Sequence, residues 1–473
     1  MSRRISSSPL PSSPPLAVQV ISLGCAKNLV DAEVMCGCLA THGICLTTDP
    51  DAADFTLINT CGFIQSARDE AEAAIRDAIR WKKDGRRKAL MRRIIVGGCL
   101  AQRSAPEYAV RFPEVDCFIG IDAAPQVHEI ILRLASQPPS GTPEILVAGQ
   151  EPAWLYDEKT PRIQVTPPSY AYIKIAEGCN HRCSFCAIPG IRGNLRSRAP
   201  ESVLAECRQL LANGVRELDL IAQDTTAYGF DLQPRQTLAG LLRQIEELPG
   251  DFWVRILYTH PLHLTPDFLA LLGNGRHLVP YLDVPLQHIA DPILKSMRRG
   301  MTTAATRELM TGIRERYPGM VIRTTFMTGY PGETDAAFQT LLAFVQEMKF
   351  DRLGVFAYSP EPGTPAAQIR EGLVPAEVAE SRRRQLLELQ RGISRQNNRA
   401  LVGKSMSVLV EKRLRKGLWS ARGIADAPEV DPTVFIHVDH DRLLKPNCFV
   451  TAQITQAGEY DLKARLPQPT PPP

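Results

Sequence analysis

The chain has 473 residues, more than one typical core holds, and its length predicts two to four domains. A net charge of +4 on that length is too weak to argue for a nucleic-acid partner, and no apolar run is long enough to span a bilayer. Twelve cysteines without a secretory signal speak against a disulfide-built extracellular scaffold. They predict thiols that serve metals or chemistry in the reducing cytoplasm.

The first segment, MSRRISSSPLPSSPP, is rich in Ser and Pro and reads as a disordered tail over 1–15. Residues 16–135 then alternate short β-rich runs with amphipathic helical stretches, which predicts a parallel α/β domain. VQVISLGC, DFTLINTC and RIIVGGC each read as a buried strand that ends in cysteine. Cys25, Cys61 and Cys99 therefore fall just past three strand ends, the edge where open α/β sheets bind ligands. Convergence there would make a site of three thiolates, one ligand short of four. The competing reading is ordinary burial, because cysteine is common in cores.

Cys36 and Cys38 lie two apart on a predicted helix and so face different ways. Together with Cys45, Cys117, Cys207 and Cys448 they read as small core or surface residues. From Arg80 to Arg93 the cations Lys82, Lys83, Arg86, Arg87, Lys88, Arg92 and Arg93 face one acid, Asp84. Such a run is a solvated loop or a sequence-blind contact to a phosphate backbone.

Proline-rich QPPSG and TPPS bracket a linker, 136–168. Over 169–397 the strand-like runs AYIKIAE, ELDLIAQD, WVRILY, VPYLDVPLQ, VIRTTFMTG and RLGVFAYS alternate with helices. About six βα units predict a partial (β/α)6 barrel, with Gln223, Asp224, Tyr258, Gln287, His288, Thr324 and Tyr358 gathered at strand ends. Four β runs then predict a small antiparallel β-barrel over 398–466, basic at its start and acidic at Asp426, Glu429, Asp431, Asp439 and Asp441. A second disordered tail covers 467–473.

After the first barrel strand comes EGCNHRCSFCAIPGIRGNLRSR, Glu177 to Arg198. Its Cys179, Cys183 and Cys186 are spaced to hold three irons of a cubane cluster and leave the fourth open to a small molecule. A zinc site would need His181 as a fourth ligand, and a histidine wedged between the flanking cysteines would strain it.

The C-x3-C-x2-C spacing, with Phe185 before the last cysteine, resembles the signature of radical S-adenosylmethionine enzymes. With the three upstream cysteines and the terminal barrel, the chain resembles the methylthiotransferase family from Val18 to about Leu466. SLGCAKNLVDAE, INTCGFI and CAIPGIRGNLRSR are similar to the branch acting on ribosomal protein S12. The tRNA-modifying branch, which remains a rival, carries GCQMN and PYTRG instead. A rival of another class is a ribosome-binding protein with structural zinc.

The resemblance implies a TRAM-like terminal barrel and two [4Fe–4S] clusters. One would sit on Cys179, Cys183 and Cys186, the other on Cys25, Cys61 and Cys99. S-adenosylmethionine would act as methyl donor and as radical source. Phe185, Gly178 and Ile188 would pack about the adenine, with Gln223, Thr324 and Tyr358 as further cofactor contacts. The implied reaction puts a methylthio group on the β-carbon of an S12 aspartate, a C–H too weakly acidic for side-chain acid–base catalysis. No catalytic residue beyond the cluster ligands is implied. The implied partners are S12, free or in the small subunit, and a reductant such as flavodoxin or ferredoxin. The basic run offers a contact to ribosomal RNA.

Overall fold

A computed structural model describes residues 15–87, 91–149, 151–439 and 444–467. The expected tails over 1–14 and 468–473, Lys88 of the basic run and Asp441 lie outside the described residues, as do the side chains of Arg86 and Arg87. The chain divides into two compact units, up to Gln164 and from Val165 onward. Among the described residues no helix is long and apolar enough to cross a membrane.

The first unit is a six-stranded parallel sheet: β1 (Ala17–Ser22), β2 (Cys45–Leu46), β3 (Phe55–Thr60), β4 (Arg93–Gly98), β5 (Cys117–Ile119) and β6 (Glu144–Leu146). Its order is β2-β1-β3-β4-β5-β6. The central β3 and β4 are buried along their whole length, which is why neither shows the alternation of a half-exposed strand. Helices Ala26–Thr41, Gln65–Arg87, Cys99–Arg111 and Val127–Ser136 connect the strands. Cys36 and Cys38 are buried core residues.

Two expectations change in this unit. The stretch taken as a linker is bound to its own unit. It contributes β6, and Arg162 pairs with the buried Glu33 at 2.5 Å while the Ile163 amide donates to the Glu33 carbonyl. Pro and Gly flanks hide a strand as short as Glu-Ile-Leu. The basic run, meanwhile, is partly interior. Lys82 and Arg93 share the buried Asp116 at 2.5 and 3.2 Å, and Arg92 reaches Asp51 at 2.9 Å with its guanidinium over Trp81. These three cations are spent on folding, leaving Lys83, paired with Glu114, at the surface.

The second unit opens with six parallel strands in the order β14-β13-β12-β11-β10-β7. They are β7 (Tyr170–Lys174), β10 (Glu217–Ile221), β11 (Trp253–Ile256), β12 (Leu278–Asp283), β13 (Val321–Thr328) and β14 (Arg352–Ala357). A small ladder of β8 (Ala176–Glu177) and β9 (Arg196–Ser197) brackets the cysteine loop. Four of the outer helices start on a threonine, Thr237, Thr265, Thr302 and Thr334, whose hydroxyl accepts from an amide of the first turn. Their inner faces and the strands form one apolar core. This is an open (β/α)6 barrel, as expected.

Helix Ala376–Arg399 leads to a closed five-stranded barrel of β15 (Ser405–Arg415), β16 (Leu418–Gly423), β17 (Val434–His437), β18 (Cys448–Ala457) and β19 (Leu462–Arg465). The fifth strand, Leu-Lys-Ala-Arg, escapes a sequence reading because it holds no β-branched or aromatic residue. Its pairing with β17 is parallel, so the barrel is not wholly antiparallel.

The acidic middle of this barrel has a structural use. The chain between β16 and β17 meets the start of the open barrel's strands. There Glu429 accepts from Tyr170 at 2.9 Å, Asp431 from Tyr281 at 2.5 Å and Asp426 from Arg352 at 2.5 Å, while the Ile424 carbonyl accepts from Arg255. Burial works against the charge on Arg352, but Asp426 and Asp431 outweigh it and hold the guanidinium above its usual range. Replacing Asp426 by Ala removes the ion-pair contact of that cation and should cost about 3–5 kcal/mol. Urea unfolding of D426A beside the parent chain checks this.

Candidate metal centres

In the first unit the three cysteines follow neighbouring strands. Cys25 caps the helix after β1, Cys61 follows β3 directly, and Cys99 opens the helix after β4. Strand order reverses between β1 and β3, so Cys25 and Cys61 flank the switch point where open α/β sheets leave a crevice. Polar side chains staple the strand ends together. Asn28 donates to the Leu23 and Asn59 carbonyls, Asn59 donates back to Asn28, and Thr60 donates to Gly97. Gly24, at φ +93°, lets the first loop lie against the second, since an added Cβ would stand 2.6 Å from Cys61 Cβ and 3.2 Å from its Sγ. The stapling residues carry no metal-ligand chemistry, so spacing alone does not single them out. They do lie in the strings SLGCAKN and INTC.

In the second unit Glu177 clamps the base of the cysteine loop. Its buried carboxylate meets Lys174 at 2.5 Å and Arg192 at 3.0 Å and accepts from Gln223. Burial would raise its pKa, yet Arg192 and Lys174 outweigh burial and hold it down at about 2. Gly178 adopts φ +80°, and a Cβ there would overlap the Asn194 carbonyl oxygen. The Cys179 amide donates to Gly193, and Ser184 is fixed at both main chain and hydroxyl to Met297 and Ser296. Held this way, Cys179, Cys183 and Cys186 sit on one short loop. Burial, aided by Asp224 at Cys179 and by the other thiols at Cys186, pushes Cys179 up to about 11 and Cys186 up to about 12.

Histidines surround this loop. His181 Nε2 lies 2.7 Å from Asp224 Oδ2, and His263 Nδ1 lies 2.8 Å from the same oxygen. The three ligand-type atoms fall within 4.8 Å of one another. His181 Nε2 is thus turned to Asp224 rather than to the thiols. His260 stacks on His181 with ring centres 3.8 Å apart, and burial, helped by nearby Arg299, pushes it down to about 2, so the ring is neutral. A cavity of about 260 Å³ is lined by Cys179, His181, Asp224, Phe230 and His263. Arg299 donates to Cys183 Sγ at 3.4 Å. The sequence offers only the neighbourhood THPLH for the two later histidines, and nothing that points to Arg299.

The rim residues separate into two kinds. Gln223, Asp224, Tyr258 and Tyr358 follow their strands directly, and Gln287 and His288 lie a few residues past β12. Gln223 Oε1 and the Tyr358 hydroxyl are buried without a hydrogen-bond partner, so both are available to a ligand. Thr324 departs from expectation. It lies inside β13, and its hydroxyl donates to Val284 at 2.8 Å and receives the Leu286 amide. That hydroxyl already holds two strands together, and the residue lies within the run VIRTTFMTG rather than at its end. Phe185 packs with Ala290, Ile293, Met297 and Tyr330 beside the loop, and Ile188 opens the short helix Ile188–Arg192.

Both donor sets fit an iron–sulfur group. Three thiols in one pinned loop supply three corners of a cubane. The stapled edge of the first unit offers a second set of three, with glycine making room between two of its loops.

Three family models match the chain: an uncharacterized protein family, UPF0004, over residues 17–120, the Radical SAM superfamily over 173–345 and the TRAM domain over 402–466. Among curated relatives, the ribosomal protein uS12 methylthiotransferase RimO of Pelobacter propionicus is 41% identical, covering 96% of this chain and 98% of the relative. Proteins of the same name from Syntrophus aciditrophicus and Geobacter sulfurreducens are each 42% identical, covering 95% and 94% of this chain and 98% and 97% of their own. Among solved structures, the radical S-adenosylmethionine methyltransferase TsrM of Kitasatospora setae shares the fold at TM-score 0.54 and 15% identity, over 92% of this chain and 84% of that one. The cobalamin-dependent radical enzyme OxsB does so at 0.51 and 11%, over 79% and 56%. With two-fifths of its residues shared over almost its full length, the chain belongs to the RimO family of radical S-adenosylmethionine methylthiotransferases.

Proposed function

We propose that this protein methylthiolates the β-carbon of an aspartate in ribosomal protein S12, using S-adenosylmethionine and two [4Fe–4S] clusters. The observation that carries the reading is the pairing of two three-cysteine donor sets with full-length relatives named for uS12. Cys179, Cys183 and Cys186 would hold one cluster, and Cys25, Cys61 and Cys99 the other. When bound, these groups supply one-electron cleavage of the sulfonium bond, giving a radical able to take hydrogen from an unactivated carbon, and the sulfur to be inserted.

The protein's own residues bind, orient and exclude water. Gln223 and Tyr358, each with a buried unpartnered oxygen, would take polar atoms of S-adenosylmethionine. Phe185, Gly178 and Ile188 would flank its adenine, and Glu177 would keep the loop closed at its base. Thr324 is assigned to holding strands rather than to the cofactor. The division into tail, cluster-bearing α/β domain, open barrel and TRAM barrel is part of the same proposal. So are a cytoplasmic setting and a reductant of the flavodoxin or ferredoxin type. A contact to ribosomal RNA through the basic run keeps only its surface cations as candidates.

Anaerobically reconstituted protein, given S12 in the small subunit, S-adenosylmethionine and reductant, should add one methylthio group to one S12 aspartate, located by tandem mass spectrometry. A methylthio group found instead in digested tRNA, with S12 unchanged, would overturn the assignment.

A further inference from the structure

Arg299 is a buried cation in search of a counter-charge. Only 5% of its surface is exposed, and among the described residues no carboxylate lies within ion-pair distance. One terminal nitrogen donates to the Pro285 carbonyl at 2.6 Å and the other to Cys183 Sγ at 3.4 Å, while its buried Nε has no partner. A guanidinium so buried is costly unless an anion compensates it. The ionisable group that it touches is the Cys183 sulfur.

His260, 6% exposed, lies near Arg299 and carries a second N–H. Its Nδ1 accepts the Leu262 amide at 3.3 Å, so the proton of the neutral ring sits on Nε2. That Nε2 is buried without a partner. The ring lies flat on His181, which stands in the loop between Cys179 and Cys183.

We propose that Arg299 and His260 raise the reduction potential of the cluster held by Cys179, Cys183 and Cys186, by placing a fixed positive charge and an N–H donor at its buried flank; this rests on the cluster assignment above. Three thiolates on a cubane leave the group net negative, and reduction adds one more negative charge. A positive charge in a water-poor site therefore favours the reduced form, and hydrogen bonds to sulfur act in the same direction. Arg299 acts through the ligand Cys183 and His260 lies on His181 of the same loop; both are positioning residues rather than catalytic ones.

The test is an EPR-monitored redox titration of the full chain carrying Cys25→Ala, Cys61→Ala and Cys99→Ala, so that one cluster is read. Adding Arg299→Met should lower the reduction equilibrium at least tenfold, which is 59 mV for one electron. Arg299→Lys should recover most of that shift. His260→Phe keeps the ring stack, removes the N–H, and should shift the potential the same way by less. An Arg299→Met protein with full iron and an unmoved potential would overturn the proposal. So would a variant whose potential is unmoved while its affinity for S-adenosylmethionine falls, since Arg299 would then serve the cofactor's carboxylate. If Arg299→Met fails to hold iron, the potentials of Arg299→Lys and His260→Phe decide. A parent chain with no iron on these cysteines would instead sink the cluster assignment, a separate outcome.

Discussion

Cys183→Ala should abolish the reductive cleavage of S-adenosylmethionine, whereas Cys61→Ala should keep the cleavage and lose the product. Cys183 is one of three thiols on a loop fastened through Ser184, Gly193 and Glu177, and no other described cysteine lies in that loop to replace it. The expected loss of 5′-deoxyadenosine formation is at least about 1,000-fold, or about 4 kcal/mol of barrier. Cys61 lies in the other compact unit, after β3. Its loss should leave cleavage within about threefold, less than 1 kcal/mol, while methylthiolated S12 disappears. Chromatography of 5′-deoxyadenosine and mass spectrometry of S12 separate the two, with circular dichroism to show that each variant folds. Sulfur transfer by Cys61→Ala at the parent rate would remove the first unit from the reaction.

Gly178→Ala should be nearly as damaging without touching a ligand. The glycine holds φ +80°, where a side chain is strained, and the new Cβ would overlap the Asn194 carbonyl. Asn194 cannot withdraw freely, because the adjoining β8–β9 ladder fixes Arg196 and Ser197 against Glu177 and Ala176. The loop must therefore shift, and an ångström of misplacement in a reacting site can cost about 100-fold. The expected result is partial loss of the iron on this loop, retention of iron in the first unit, and cleavage reduced by about that factor. Iron analysis together with EPR checks it. Full iron and full cleavage in G178A would mean that the glycine does not shape the site.

How much could be read before the structure depends on how far apart the cooperating residues lie. Cys179, Cys183 and Cys186 share one loop, so their spacing already states a three-ligand set. The strands before Cys25, Cys61 and Cys99 were legible from their apolar runs, and with them the place of each cysteine. Whether those strands are neighbours was not, because pairing order is a property of the whole sheet. Thr324 shows a different limit: it lies in the middle of a run that reads as a strand and is one, and only the bonds of its hydroxyl to Val284 and Leu286 show that it joins strands. The acidic stretch around Glu429 names no partner in the sequence and is matched to Tyr170, Tyr281 and Arg352, each far away along the chain.

By itself, then, the sequence determined the local chemistry of this protein: two sets of three cysteines, an alternating α/β chain, and a terminal β-barrel. These follow from periodicity and short spacing, which local backbone geometry enforces. Tertiary structure decided the rest. It set β1, β3 and β4 side by side, spent Lys82, Arg92 and Arg93 on buried ion pairs, and brought His260 and Arg299 against the cysteine loop. Such meetings arise from strand order and from the need of each buried charge or donor for a partner. No pattern within a single stretch of chain encodes them.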